Sequence, residues 1–369
     1  MTDAVQRIRV LIVDDHAVVR MGLRAFFDLL PDIEVVGEAS DGSEGVAMTR
    51  RLTPDVVLMD LLMPNMDGIT AIGRIKAELP ETEIVTMTSF IEEEKVTAAL
   101  EAGASGFKLH PRSDAFALPH PVVEEVVALA HERRRLVLFH AGRGIPHLGE
   151  SVVDLARRYP GARLILAHAG ISDLSWIAGE AAALPNLFFD TAWWNVADHL
   201  QLYSTIPPGQ ILYASDMPYG PGVVTSFIFL RMARAVGHPP AVARAIAGEQ
   251  VARIVAGEEP LDLGPAPGVE AVGPRVIDAE RIVTYASGAV LLAFRGLDPA
   301  EPVALARLAC RTSRDGDVAQ LLGLVDRVLE IGQEWAAARP DQPFAIGGAA
   351  LVALILAGTP AAGVPAVAL

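Results

Sequence analysis

Nine short apolar runs punctuate residues 9–216: RVLIVDD (9–15), IEVVGEAS (33–40), DVVLMD (55–60), EIVTMTS (83–89), GFKLH (106–110), LVLFH (136–140), RLILAH (163–168), NLFFD (186–190) and QILYASD (210–216). Each is short for a helix and near-continuously apolar, as a strand buried on both faces should be. Helical patterns fill the intervals at 16–30, 43–52, 69–78, 92–102, 122–134 and 150–159. Strands alternating with helices imply right-handed crossovers and a parallel sheet, so the expected fold class is α/β. Most of the runs stop at a carboxylate or a histidine. The carboxyl ends of parallel strands are where open sheets and barrels both place their chemistry.

Three carboxylates come first. Asp14 and Asp15 follow the first run, and Asp60 ends the third. In a doubly wound sheet of order 2-1-3-4-5, strands one and three are neighbours, which brings the three acids to one switch point. Like charges so close repel unless a hard cation sits among them, and an oxygen-rich open site suits Mg²⁺. A carboxylate beside Mg²⁺ can attack a phosphoryl donor and become an aspartyl phosphate. For any one of these acids alone, a helix cap or a solvated loop would be the default.

LIVDDHAVVRMGL (11–23), VVLMDLLMPNMDGI (56–69), TMTSF (86–90) and AALEAGASGF (98–107) resemble the receiver domain of two-component response regulators, a CheY-like domain of the LuxR/NarL subclass. The resemblance covers residues 7–107. It implies a flavodoxin-like fold, Asp60 as phosphoacceptor, Asp14 and Asp15 with Asp60 as the Mg²⁺ site, Thr88 as switch hydroxyl and Phe107 as switch aromatic. It also implies a sensor histidine kinase or a small phosphodonor as partner. The family expects a lysine at the end of strand five. Here that position is His110, and Lys108 lies two residues earlier, about 6.6 Å along a strand. Nothing after residue 107 resembles the DNA-reading helix-turn-helix. With 45 acidic against 30 basic residues and a net charge of −15, no nucleic-acid partner is expected, because affinity for a phosphate backbone comes from clustered Lys and Arg.

A second resemblance begins where the first ends. GFKLHPR (106–112), LVLFHAG (136–142), ARLILAHAG (162–170), LFFDTA (187–192) and ILYASDMPYG (211–220) are similar to the amidohydrolase-related family of metal-dependent TIM-barrel enzymes, over roughly 106–257. The resemblance implies Zn²⁺ or Mn²⁺ at a Zn-type site. His140 would be a ligand, His168 a second ligand or a catalytic acid/base, and Asp216 a ligand or the acceptor of the activated water's proton. It also implies a small-molecule carboxylate or lactone as substrate. The family's first strand supplies a His-x-His pair, and no two of the nine histidines here stand two residues apart. The remaining ligand count is low for such a site.

GASGF belongs to the first pattern and KLHPR to the second, so the seam falls at residues 106–108, where both want a strand. The expected division is a flavodoxin-like receiver half (1–107), an amidohydrolase-like half TIM barrel (108–259), a Pro/Gly-rich linker (260–276) and a helical C-terminal extension (277–369). Counting the shared strand once gives nine parallel strands. The halves then form either separate units or a hybrid, partly closed barrel, and the hybrid is the expectation. Three functional readings stay open. The first is a chimeric phospho-receiver fused to a partial barrel. The second is an active metal-dependent hydrolase or decarboxylase, and the third a folded fusion or designed chimera without catalysis.

A single cysteine, Cys310, and the absence of an apolar stretch behind Asp3 and Arg7 predict a cytoplasmic chain without a signal peptide. The apolar tail IGGAALVALILAG (346–358) is shorter than the roughly 20 residues a bilayer span needs, which predicts a buried helix and no membrane partner.

Overall fold

The computed structural model describes residues 7–27, 33–87, 98–99, 102–112, 116–142, 145, 147–171, 173–216, 222–312, 315–338 and 344–365. The chain divides into two compact units. One comprises Met1–Ala192, Gly209–Gly222 and Ala245–Leu263, and the other Trp193–Pro208, Val223–Arg244 and Gly264–Leu369.

The first unit carries nine strands: β1 (Ile8–Val13), β2 (Ile33–Ala39), β3 (Val56–Asp60), β4 (Glu83–Met87), β5 (Gly106–Leu109), β6 (Leu136–Phe139), β7 (Arg163–Leu166), β8 (Leu187–Asp190) and β9 (Ile211–Leu212). They form one parallel sheet of order β2-β1-β3-β4-β5-β6-β7-β8-β9. The doubly wound 2-1-3-4-5 order is present, and the sheet then continues strand by strand. β5 serves both halves. It pairs with β4 through Val85↔Gly106 and Thr86↔Phe107, and with β6 from Gly106↔Leu136 to Leu109↔Phe139. The halves therefore share one hybrid sheet. Among the described residues it is open, with β2 and β9 as its edges.

Glycine at the seam has a steric reason. A Cβ on Gly106 would lie 2.3 Å from Leu136 Cδ1 and 2.9 Å from Leu136 O, so a larger residue would push β5 and β6 apart. Leu11, Ile12, Met59, Ile84, Phe107, Phe139, Phe188 and Phe189 are buried in the sheet. Each contributes about 1.5–3 kcal/mol of transfer free energy. β9 is shorter than the run QILYASD suggests. Tyr213 N donates to Ile246 O, which draws the chain out of the sheet after two residues.

Helices α1 (Ala17–Phe27), α2 (Gly42–Leu52), α3 (Gly68–Glu78), α4 (Pro121–Arg133), α5 (Leu148–Arg158) and α6 (Leu174–Ala181) belong to the same unit. Their starts follow from local chemistry. Asp41 accepts from Glu44 N and Asp67 from Thr70 N, each capping amide donors that the first turn leaves free. Pro121 opens α4, where a missing N–H costs nothing. The helix predicted at 92–102 falls mostly outside the described residues.

The second unit contains α7 (Val196–Thr205), α8 (Gly222–Ala235), α9 (Ile277–Phe294), α10 (Ala300–Ala309), α11 (Asp317–Ala338) and α12 (Phe344–Gly358). The apolar tail is α12. It packs against α9 and α11 and buries Ala350, Leu354, Ile355 and Leu356. Among the described residues, no helix is long and apolar enough to cross a membrane. The Arg231 guanidinium on α8 ties the end of this tail, donating to Thr359 O at 2.8 Å and Gly363 O at 2.7 Å. Burial pushes its pKa down to about 10.

Candidate functional site

The first candidate site is an acidic cleft at the carboxyl ends of β1 and β3. Val13 is level with Met59 in the ladder, so the next residues, Asp14 and Asp60, face each other across neighbouring strands. Ligand atoms of Asp14, Asp15, His16 and Asp60 all lie within 4.8 Å of one another. The loop after β3 closes tightly on Asp60. A Cβ on Gly68 would sit 2.1 Å from Asp60 O, so only glycine lets α3 start so close. Burial raises the Asp60 pKa, and the charges of Asp14 and Asp15 raise it further, against a weak bond from Leu62 N at 3.4 Å.

The donor set fits a hard divalent cation. Asp15 Oδ1 is buried and accepts no hydrogen bond, although His16 Nδ1 lies 2.8 Å away as an ion-pair contact. The two observations agree once direction is considered, because proximity without donor alignment leaves the oxygen unsatisfied. Asp14, Asp15 and Asp60 would hold the ion, and it would neutralise the clustered charge. His16 joins the cluster without a motif role of its own, and its adjacency in DDH is the one sequence signal for it. Phe107 is buried on β5. Thr88 lies outside the described residues.

The second candidate site sits at the ends of β5, β6 and β7. His140 Nδ1 and His168 Nε2 are 2.9 Å apart, and His168 Nδ1 lies 2.7 Å from Ala192 O. A carbonyl only accepts, so His168 donates from Nδ1, and its Nε2 then accepts from the His140 Nδ1–H. His168 is held further by its backbone. Buried Asp190 accepts from His168 N at 2.8 Å and Ala192 N at 3.0 Å. Asp216 Oδ2 stands 3.8 Å from His168 Nδ1.

His140 also stacks on His110, with ring centroids 3.7 Å apart and planes at 13°. Its pKa is pushed down to about 3, first by burial and then by the charges of His110, His168, Lys108 and Arg112. Burial raises Asp216, offset by His168, Lys108 and His110. The field of Lys108 is thus felt at the histidine site.

His140, His168 and Asp216 stand at neighbouring strand ends, with His168 between the other two. His140 Nδ1 and His168 Nε2 are within hydrogen-bond distance of each other, and the other His168 nitrogen bonds a carbonyl. Among the described residues, only the acidic cleft brings three or more ligand atoms together. Two residues that position this site were missed in the sequence. His110 shares no spacing with a metal motif and meets His140 only because β5 and β6 are neighbours. Asp190 ends LFFD, but its role as a backbone acceptor has no sequence signature.

Comparison with known proteins finds two family models along the chain. The family model for the response regulator receiver domain matches residues 10–114, and that for amidohydrolase matches residues 90–253. The transcriptional regulatory protein LiaR of Bacillus subtilis is 57% identical over 102 residues, covering 28% of this chain and 48% of that protein. The response regulator protein VraR of Staphylococcus aureus is 46% identical over 106 residues, covering 29% and 51%. The chain therefore spans about half the length of the curated relatives it matches. A crystal structure of the response regulator domain of Thermotoga maritima CheB is 37% identical over 35% of this chain and 95% of that one, with a TM-score of 0.28. The chain carries a response regulator receiver domain in residues 10–114 and an amidohydrolase domain in residues 90–253, overlapping around the strand they share.

Proposed function

We propose that this chain is a phospho-receiver fused to a partial amidohydrolase barrel that acts as its effector or scaffold. The domain division 1–107, 108–259, 260–276 and 277–369, and a cytoplasmic location, belong to the same reading, which expects no nucleic-acid partner. Asp60 takes a phosphoryl group from a sensor histidine kinase or a small phosphodonor. An Asp60 carboxylate oxygen bonds to phosphorus, and the donor's leaving group departs with the electron pair of the broken bond. Asp14, Asp15 and Asp60 would hold Mg²⁺, which when bound offsets the negative charge of the cleft and of the transferring group. Because Asp60 is raised by burial and by its two acidic neighbours, its nucleophilic form is lost on acidification earlier than for a free aspartate.

The observation that carries this reading is the convergence of three carboxylates within 4.8 Å at the switch point of the sheet. Intact-mass measurement after incubation with acetyl phosphate and Mg²⁺ tests it. One added phosphoryl group is expected for the native chain and none for Asp60→Asn. An unshifted native mass rejects the proposal.

For the amidohydrolase half, the hydrogen bond between His140 and His168 favours a scaffold or effector over a metal-dependent enzyme acting on a carboxylate or lactone. Metal analysis after exhaustive dialysis should find no stoichiometric zinc or manganese. Stoichiometric metal that disappears in His140→Ala would reverse that assignment.

A further inference from the structure

At the opposite end of the sheet from both candidate sites, a cavity of about 420 Å³ opens beside the amino ends of β6, β7 and β8. That size lies within the range of small-molecule pockets. Arg163, the first residue of β7, lines it, with Arg134, His131, Asn186 and Glu259. The Arg163 side chain is only 5% exposed, and both its Nε and Nη2 are buried without a hydrogen-bond partner. A guanidinium taken out of water normally finds acceptors, since leaving its charge buried and unpaired is strongly unfavourable.

Glu259 answers only part of this demand. Its Oε2 is 3.5 Å from Arg163 Nη2, an ion-pair distance without a hydrogen bond. Its Oε1 is bonded to Arg134 Nη2, and the carboxylate is 72% exposed. Two guanidiniums against one carboxylate leave the cavity net positive. His131 adds a donor. Its Nδ1 accepts from Gly161 N at 2.7 Å, so the neutral ring carries its proton on Nε2. Asn186 is already committed, donating to Ala156 O and Tyr159 O.

We infer that this cavity binds a small organic dianion through a phosphoryl or carboxylate group, with Arg163 as anchor and Arg134 as second cation. The orphaned Nε and Nη2 form the side-on edge of the guanidinium, the fork that pairs with two oxygens of one oxyanion. Burial holds Arg163 below its usual pKa, Glu259 raises it in part and Arg134 lowers it again, so a further anion in the cavity would act in the same direction as Glu259. The site is independent of phosphoryl transfer at Asp60.

Isothermal titration of the full chain in metal-free buffer tests this, using inorganic phosphate and malonate against sodium chloride at matched ionic strength. Saturable binding of phosphate, malonate or both is expected. Phosphate alone would identify a phosphoryl ligand, and malonate alone a carboxylate one. Arg134→Gln, at a half-exposed position, should weaken binding about tenfold or more, and Arg163→Met should abolish it. Glu259→Gln removes the competing carboxylate and should tighten binding. No saturable heat up to about 10 mM from either anion overturns the inference. So does an affinity that Arg134→Gln and Glu259→Gln both leave unchanged.

Discussion

Replacing Asp60 with asparagine should stabilise the metal-free chain and destabilise the magnesium-loaded one. The carboxylates of Asp14, Asp15 and Asp60 lie within 4.8 Å of one another. Each like-charge pair at that distance costs about 0.9 kcal/mol at the dielectric of water and about 3.5 kcal/mol at an effective dielectric of 20. Asp60 has two such neighbours, and at the lower, fully screened figure removing its charge relieves about 2 kcal/mol. Magnesium at a hundredfold excess over its Kd stabilises the native chain by about 2.7 kcal/mol, a gain that loss of one carboxylate should largely forfeit.

The rank order of the two proteins should therefore invert on adding Mg²⁺. Acid works in the other direction. The folded chain holds a proton on Asp60 at pH values where the unfolded chain has released it, so the metal-free gap narrows as pH falls. Urea unfolding with and without Mg²⁺ measures this. A metal-free Asp60→Asn no more stable than the native chain, or an equal response of both proteins to Mg²⁺, would refute the reasoning.

Other perturbations follow from the same geometry. His140 is held down to about 3 and His199 to about 4, burial being the first cause in each. Their contribution to stability is complete above the ordinary value of 6.5 and is lost as pH falls toward those values. NMR titration of the imidazoles should find both rings still neutral well below 6.5, and protonation of either near that value would contradict the burial argument. Gly106→Ala places a methyl against Leu136 and should cost about 1–3 kcal/mol in urea unfolding; an unchanged midpoint would mean β5 and β6 are not so close. Gln250→Ala strips partners from Gly209 O and Leu261 N and should cost about 1–3 kcal/mol by the same assay, no change meaning those groups find other partners.

Much of the sheet was legible because a strand covered on both faces must be apolar throughout, and RVLIVDD, DVVLMD and LVLFH announce themselves as such. The acidic cleft was legible for a related reason. Asp14 and Asp60 end strands that a doubly wound order makes neighbours, so topology alone brings them together. The histidine site was only half legible. His140 and His168 were visible as strand ends, but the sequence does not reveal that their nitrogens face each other or that His110 stacks on His140. Arg163 opens an apolar strand and looks like an ordinary boundary charge. Its isolation depends on Glu259, which arrives from 96 residues away in sequence. The grouping of residues 193–208 and 223–244 with the C-terminal helices rests on long-range packing such as Arg231 with Thr359, which no local pattern encodes.

The most direct test of the account is native-state hydrogen exchange across the seam, read at the amides of β4, β5 and β6 in the full chain. Because β5 is laddered to both neighbours, these amides should open together in one cooperative step with a common free energy. If instead β1–β5 exchange in one step and β6–β9 in another with a separate denaturant dependence, the two halves do not share a sheet and the account fails.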